Sequence, residues 1–192
     1  MVLPSHNWTA LVATARGALW RASDGTIERL KALDAAMRAA ANPPLVCHAP
    51  AVAARLGLDG LPALDLLELF AFVRPAKFCL PTPRGLCEAL DLAVPTTPEE
   101  EVAALPQAAA ALLDELEDMA ALASRELAET ALAMARGQWR WGEAVLAALG
   151  IDPAGKKLRP GAGLDIWKSL PQWEEPPPAP PPSSQPDRKS VV

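Results

Sequence analysis

The stretch TALVATARGALWRASDGTIERL, residues 9–30, decides the fold class. Thr9 to Ala15 is a short apolar run, Arg16-Gly17 offers a turn, and Ala18-Leu19-Trp20-Arg21-Ala22 is a second run. Ser23-Asp24-Gly25 then punctuates, because aspartate bonds its own backbone two residues on and glycine tolerates the backbone of a tight turn. Thr26-Ile27-Glu28-Arg29-Leu30 follows. Three short runs separated by turn residues predict a β-meander.

Downstream the period changes. Lys31 to Ala41 is Ala-rich, with Leu33, Met37 and Ala40 spaced along one helical face, and Asn42-Pro43-Pro44 stops it. Leu45-Val46-Cys47-His48 predicts a short buried strand, and Ala51 to Leu56 a short helix closed by Gly57. Leu64 to Phe72 is apolar on nearly all sides and predicts a central buried element. Thr82-Pro83 is an N-cap with proline at the first helical position, opening a helix through Leu86 and Leu90. In Thr97-Pro98-Glu99-Glu100 the Thr97 hydroxyl can accept a free amide while Glu100 reaches back, a capping box. Pro106 restarts the pattern, after which Leu112, Leu116 and Met119 share a face. Leu127, Ala131 and Met134 continue it toward Gly137, and a last helix runs from Gly142 to Leu149.

The expected fold is therefore α/β: a mixed sheet flanked by helices over residues 8–95, with an all-helical part of the same domain over 96–173. From about Glu174 the chain turns proline-rich, and Pro176 to Ser184 can form neither helix nor sheet because proline lacks an amide donor. Residues 174–192 are expected to be a disordered, extended spacer of roughly 3 Å per residue rather than a ligand for a proline-reading domain. Asp187 to Val192 is too short for a domain, so the chain reads as truncated.

A length of 192 residues allows one domain with a proper core. The net charge of −5 excludes a surface built to grip phosphates everywhere, and any nucleic-acid contact must be a local basic patch. Tyrosine is absent and only three phenylalanines occur, so platforms for stacking bases are few. Three cysteines without CxxC spacing, no signal-peptide pattern and no long uncharged apolar run predict a cytoplasmic chain with no membrane span.

Chemistry is sparse. The nearest approach to a phosphate-cradling loop is Gly155-Lys156-Lys157, which lacks the preceding glycine and the following hydroxyl, so no ATP motor is encoded. Cys47 and His48 are adjacent and point to opposite faces of a strand, while Cys79 and Cys87 are distant in sequence, which argues for packed thiols over zinc. Neither His6 nor His48 sits where it would serve a cysteine nucleophile. Trp139-Arg140-Trp141 can be read as stacking indoles beside a phosphate-binding arginine, although tryptophans between two helices more often seal a core. Trp167 and Trp173 are expected to pin the final segment onto the domain. Arg74-Pro75-Ala76-Lys77, with Arg84 nearby, is the best local basic patch, read either as a DNA contact or as a solvated edge.

Two stretches carry a resemblance. Pro44 to Pro50 followed by Ala63 to Pro75 resembles the middle of a DEDD-type 3′–5′ exonuclease, of RNase H-like fold. More specifically, LDLLELFAFVRPAKFCLPTPRGL, residues 64–86, is similar to the N-terminal domain of DinG-type bacterial helicases, as are LPQWEE at 170–175 and the proline-rich tail that joins that domain to its motor. An active member of the nuclease family places carboxylates two apart on its first strand to hold two divalent ions. The matching positions here are Ala13 and Ala15, the acid expected after His48 falls near Ala53, and no His-x-x-x-x-Asp pattern appears in the helical part. The resemblance thus implies an RNase H-like domain that is no enzyme by itself, with no catalytic residue, metal or cofactor. It would position DNA for an ATP-dependent DNA helicase whose motor domain is absent from this chain, with Arg74, Lys77, Arg84, Trp139, Arg140 and Trp141 as candidate contacts to single-stranded DNA. The alternative is a stand-alone interaction or scaffold protein that docks through its helical part.

Overall fold

The structure, a computed structural model, describes residues 8–120, 124–154, 158, 159 and 161. The readings on His6, Gly155-Lys156-Lys157, Trp167, Trp173 and the proline-rich stretch lie outside the described residues.

The meander forms where the turn residues place it. Strands β1 (Ala10–Thr14), β2 (Gly17–Arg21) and β3 (Ile27–Leu30) pair antiparallel, with Ala10 opposite Arg21 and Ala18 opposite Leu30. Asp24 accepts the Thr26 amide at 2.9 Å, the self-bonding that makes Asp-Gly a turn. Helix α1 (Ala32–Ala41) then returns the chain so that β4 (Leu45–Val46) runs parallel beside β1, Leu45 facing Ala10. Helix α2 (Ala49–Leu56) crosses to β5 (Leu64–Asp65), parallel to β4. The result is one five-stranded mixed sheet in the order β3-β2-β1-β4-β5.

The Leu64–Phe72 stretch is not a single element. It divides into β5 and helix α3 (Leu66–Val73), because Asp65 caps the helix by accepting the Leu67 amide at 2.9 Å. Its other carboxylate oxygen accepts the Ala49 amide at 2.7 Å, so one side chain ties the start of α2 to the start of α3. The ladder of β4 likewise stops at Val46: the Cys47 carbonyl turns to accept from Leu67, and His48 becomes the N-cap position of α2.

Helix α4 (Pro83–Ala89) opens on Thr82, whose hydroxyl accepts the Gly85 amide at 3.0 Å. The capping box at Thr97 and Glu100 forms and launches helix α5 (Pro98–Met119), 22 residues long. Pro106 does not restart this helix. It lies buried inside it, leaving only the Val102 carbonyl without its helical donor. Helices α6 (Arg125–Arg136) and α7 (Gly142–Ala148) follow. They pack closely because Gly142 has no Cβ; one placed there would stand 2.6 Å from the Ala135 Cα.

The sheet is covered on both faces. Ala10, Val12, Leu19 and Leu45 meet Leu105, Leu112 and Leu116 of α5 in one cluster that continues into α6 and α7. Leu11, Ala13, Ala18, Trp20 and Val46 meet α1 and α2 in a second. The helical face of Leu33, Met37 and Ala40 is exposed and does not enter this second cluster. Leu33 and Met37 are 69% and 58% exposed, and the buried positions are Ala35 and Ala39, four apart. Two alanines one turn apart let the helix lie close on a layer already filled by Trp20. No described helix is long and apolar enough to cross a membrane.

Candidate functional site

The loop between α3 and α4 carries the basic residues singled out in the sequence. Arg74 ends α3, and its guanidinium binds the Glu115 carboxylate of α5 with N–O distances near 2.9 Å and donates to the Ala89 carbonyl at the end of α4. Its charge is thereby engaged in holding three helices together. Pro75 and Ala76 occupy the centre of a turn closed by the Lys77 amide on the Arg74 carbonyl. Ala76 has φ 62°, a left-handed conformation that costs a non-glycine residue roughly 1–2 kcal/mol. The surrounding packing holds it there, and Lys77 and Phe78 follow on the exposed side of the turn.

Phe78 is 72% exposed, the most exposed large apolar side chain among the described residues. With Lys77, Pro75 and Val73 it lines an open cleft of about 460 Å³ whose floor includes Phe70 and the Arg74–Glu115 pair. The loop is fixed from behind, since a Cβ on Gly85 would meet the Leu80 side chain at 2.4 Å. Arg84, on the first turn of α4, is exposed and lies 4.0 Å from Glu88. Phe78 is not among the candidate residues of the sequence. The usable signal was an aromatic directly after a lysine in a segment bounded by Pro75 and Pro81.

The second candidate patch separates into two. Trp141 has no exposed surface; its indole donates to the Asp65 carbonyl at 2.7 Å, and Trp8 meets it edge-on at 6.2 Å. That indole seals the core and has no face to offer a base. Trp139 is partly exposed, stacked obliquely on Phe72 at 5.2 Å and donating to Glu68 at 2.9 Å, while Arg140 is exposed. Both Trp139 contacts lie on α3, the helix whose end bears Arg74. The helix thus links Trp139 to the loop that carries Lys77 and Phe78.

A smaller crevice of about 50 Å³ opens at the carboxyl ends of β1 and β4, between Ala13, Cys47, Arg55, Thr82 and Glu101. Such ends are where open α/β sheets place their ligands. The volume is close to that of one or two waters, at roughly 30 Å³ each. Burial, then the proximity of Cys79 and Asp65, pushes the Cys47 thiol well above the ordinary range, so it stays protonated and poorly nucleophilic. Cys79 and Cys87, distant in sequence, are near enough to add to that shift. Asp65 is raised by burial and pulled back by the two amides it accepts, from Ala49 and Leu67, so its oxygens serve the fold. Among the described residues no three His, Cys, Asp or Glu side chains converge in a way that could hold a metal. Ala13 and Ala53 are buried, and Ala15 is exposed in the β1–β2 turn.

Comparison with protein-family models, with curated proteins and with solved structures finds no match to this chain.

Proposed function

We propose that this chain is a catalytically inert, RNase H-like domain that positions single-stranded DNA for a DinG-type ATP-dependent helicase. The observation that carries the reading is the methyl group of Ala13, at the carboxyl end of β1 beside the crevice where two-ion cleavage needs a carboxylate. The sheet order β3-β2-β1-β4-β5, with β1, β4 and β5 parallel and β2 antiparallel, supports the RNase H-like assignment. A methyl group cannot ligate a metal, so the sheet keeps the form of a nuclease without its chemistry.

What remains for DNA is the α3–α4 loop. Phe78 offers an open aromatic face and Lys77 an ammonium beside it, the pairing that takes a base and its phosphate. Stacking on one aromatic contributes about 1–3 kcal/mol per base, so Phe78→Ala should weaken binding of a labelled single strand roughly 5- to 150-fold. Lys77→Ala should flatten the salt dependence of binding by about one ion. Fluorescence anisotropy across a salt series measures both, and the same strand should stay intact with Mg²⁺ or Mn²⁺. Binding that ignores salt, indifference to Phe78→Ala, or metal-dependent shortening of the strand would each refute the reading.

One observation favours a scaffold alternative, though on the α/β part rather than the helical part first expected to dock: Leu33 and Met37 form an exposed apolar stripe on α1, a surface suited to another protein. Absence of any DNA affinity would move the assignment there.

A further inference from the structure

We infer that the outward face of α1 is a self-association surface, on which a second copy of this chain docks its own α1 antiparallel, about a two-fold axis beside Met37. At about 3.6 residues per turn Met37 lies opposite the buried pair Ala35 and Ala39, so it forms the crest of the helix. Leu33, Ala40 and Ala41 stand beside it, all exposed. Leu33 and Met37 rank with Phe78 as the most exposed large apolar side chains among the described residues, and they lie one turn apart. The pairing is independent of the DNA reading.

The pattern of the face is self-complementary, which selects a second copy as the occupant. A two-fold contact needs the same patch to match itself with its order reversed. With the axis beside Met37, Leu33 of each copy lies over Ala40 of the other, a large side chain against a small one, and Met37 meets Met37. The small side chains of Ala40 and Ala41 let the two helix axes approach to about 8–10 Å.

Charge fixes the direction. Asp34 and Arg38, one turn apart, occupy the same flank of the crest, while Ala32 and Ala36 form the other flank. Antiparallel pairing about a two-fold brings like flanks together in reversed order, so Asp34 of each copy faces Arg38 of the other. A parallel pair would set the charged flank against the alanines and match neither charge. Asp34 has no ion pair among the described residues. Arg38 binds Glu28 of β3 at 2.9 Å, and its guanidinium has donors to spare for a second carboxylate. A helix of 10 residues offers less than the roughly 1,200 Å² of standard interfaces, so the dimer is weak, with a Kd on the order of 0.1 mM, and the dilute chain is monomeric.

Sedimentation equilibrium of the full chain tests the pairing. The mass should be that of the monomer near about 10 µM and rise toward twice that value near about 1 mM. Asp34→Arg and Arg38→Glu each set like charges across the axis, and each variant alone should lose the rise. Mixed in equal amounts the two variants should regain it, because the mixed pair matches both contacts again while either pair of identical chains repels itself. A misfolded variant gives no such rescue, and circular dichroism of each shows whether the helices are intact. A parent chain that stays monomeric near about 1 mM leaves the stripe to a separate protein and overturns the inference. A rise that survives in both single variants, a mixture that does not associate, or growth beyond the dimer overturns it equally.

Discussion

The two faces of the sheet are built from neighbouring residues of the same strands, yet they differ in kind. On one face Ala10, Val12, Leu19 and Leu45 meet a 22-residue helix and then two more helices, and the cluster runs unbroken to Leu149. On the other, Leu11, Ala13, Ala18 and Trp20 meet two short helices, and α1 contributes only alanines to the buried layer. Alternation along β1 and β2 assigns residues to faces but says nothing of how deep each face will be covered. Depth comes from α5, whose Leu105, Leu112, Leu113 and Leu116 all lie buried. The contrast places most of the folding stability on one side and leaves the other with an unfilled apolar stripe.

The largest test of that contrast removes a leucine from each side. Leu112→Ala, inside the deep cluster, should cost about 2–5 kcal/mol through lost transfer energy and a cavity that α5 cannot collapse. For a chain of this size that lowers Tm by roughly 4–20 °C. Leu56→Ala, at the end of α2 on the shallow side, should fall at the bottom of the same range because its surroundings can relax. Thermal denaturation of both variants decides the matter. Equal losses would mean that the two faces carry stability alike.

What could be read from the sequence follows the range of the interaction. The Thr97–Glu100 box and the Thr82 cap operate within four residues, and both were legible because their chemistry is complete in the local string. The meander was legible for the same reason, each turn being written in Asp24-Gly25 or Arg16-Gly17. The division of Leu64–Phe72 was not, because the Asp65 carboxylate draws one of its partners from Ala49, 16 residues away. Nor could Leu33 and Met37 be placed outside, since their exposure depends on how closely Ala35 and Ala39 approach Trp20. At the candidate site the same limit applies. Arg74 reads as a DNA contact or a solvated edge until Glu115, 41 residues on, neutralises it; the core position of Trp141 is the commoner reading of a tryptophan between two helices, but its partner, the Asp65 carbonyl 76 residues back, is not legible. Phe78 carries only a weak local signal, an aromatic directly after a lysine between Pro75 and Pro81, and its exposure on the turn is what singles it out.

A pH titration sharpens the contrast on the deep side. Bonds from Arg159 and then Arg125 hold the Glu129 carboxyl below its ordinary value of 4.5. A depressed folded pKa means the unfolded chain binds the proton more readily. The contribution is therefore complete above pH 4.5 and disappears as pH falls through the folded value. Glu129→Gln should be less stable than the parent at neutral pH, and the gap should close as the solution is acidified below 4.5. Urea midpoints across the acid range measure it. A gap that is constant with pH would show that the ion pair is incidental to the way α6 holds the returning chain.

The smallest effect belongs to the shallow face. Leu33 and Met37 are mostly in water in the folded chain, and a lysine stem can cover much of what they cover, so replacing both with lysine removes little buried apolar area. Lysine is as good a helix former as leucine or methionine, and α1 keeps Ala35 and Ala39 against the sheet. The double variant should therefore unfold within about 0.5 kcal/mol of the parent, as surface substitutions do. Solubility should respond where stability does not, because an apolar stripe one turn long is a contact surface for any partner, including another copy. A loss comparable to Leu112→Ala would mean that the stripe is covered in solution, and the difference between the faces would then be one of partner rather than of depth.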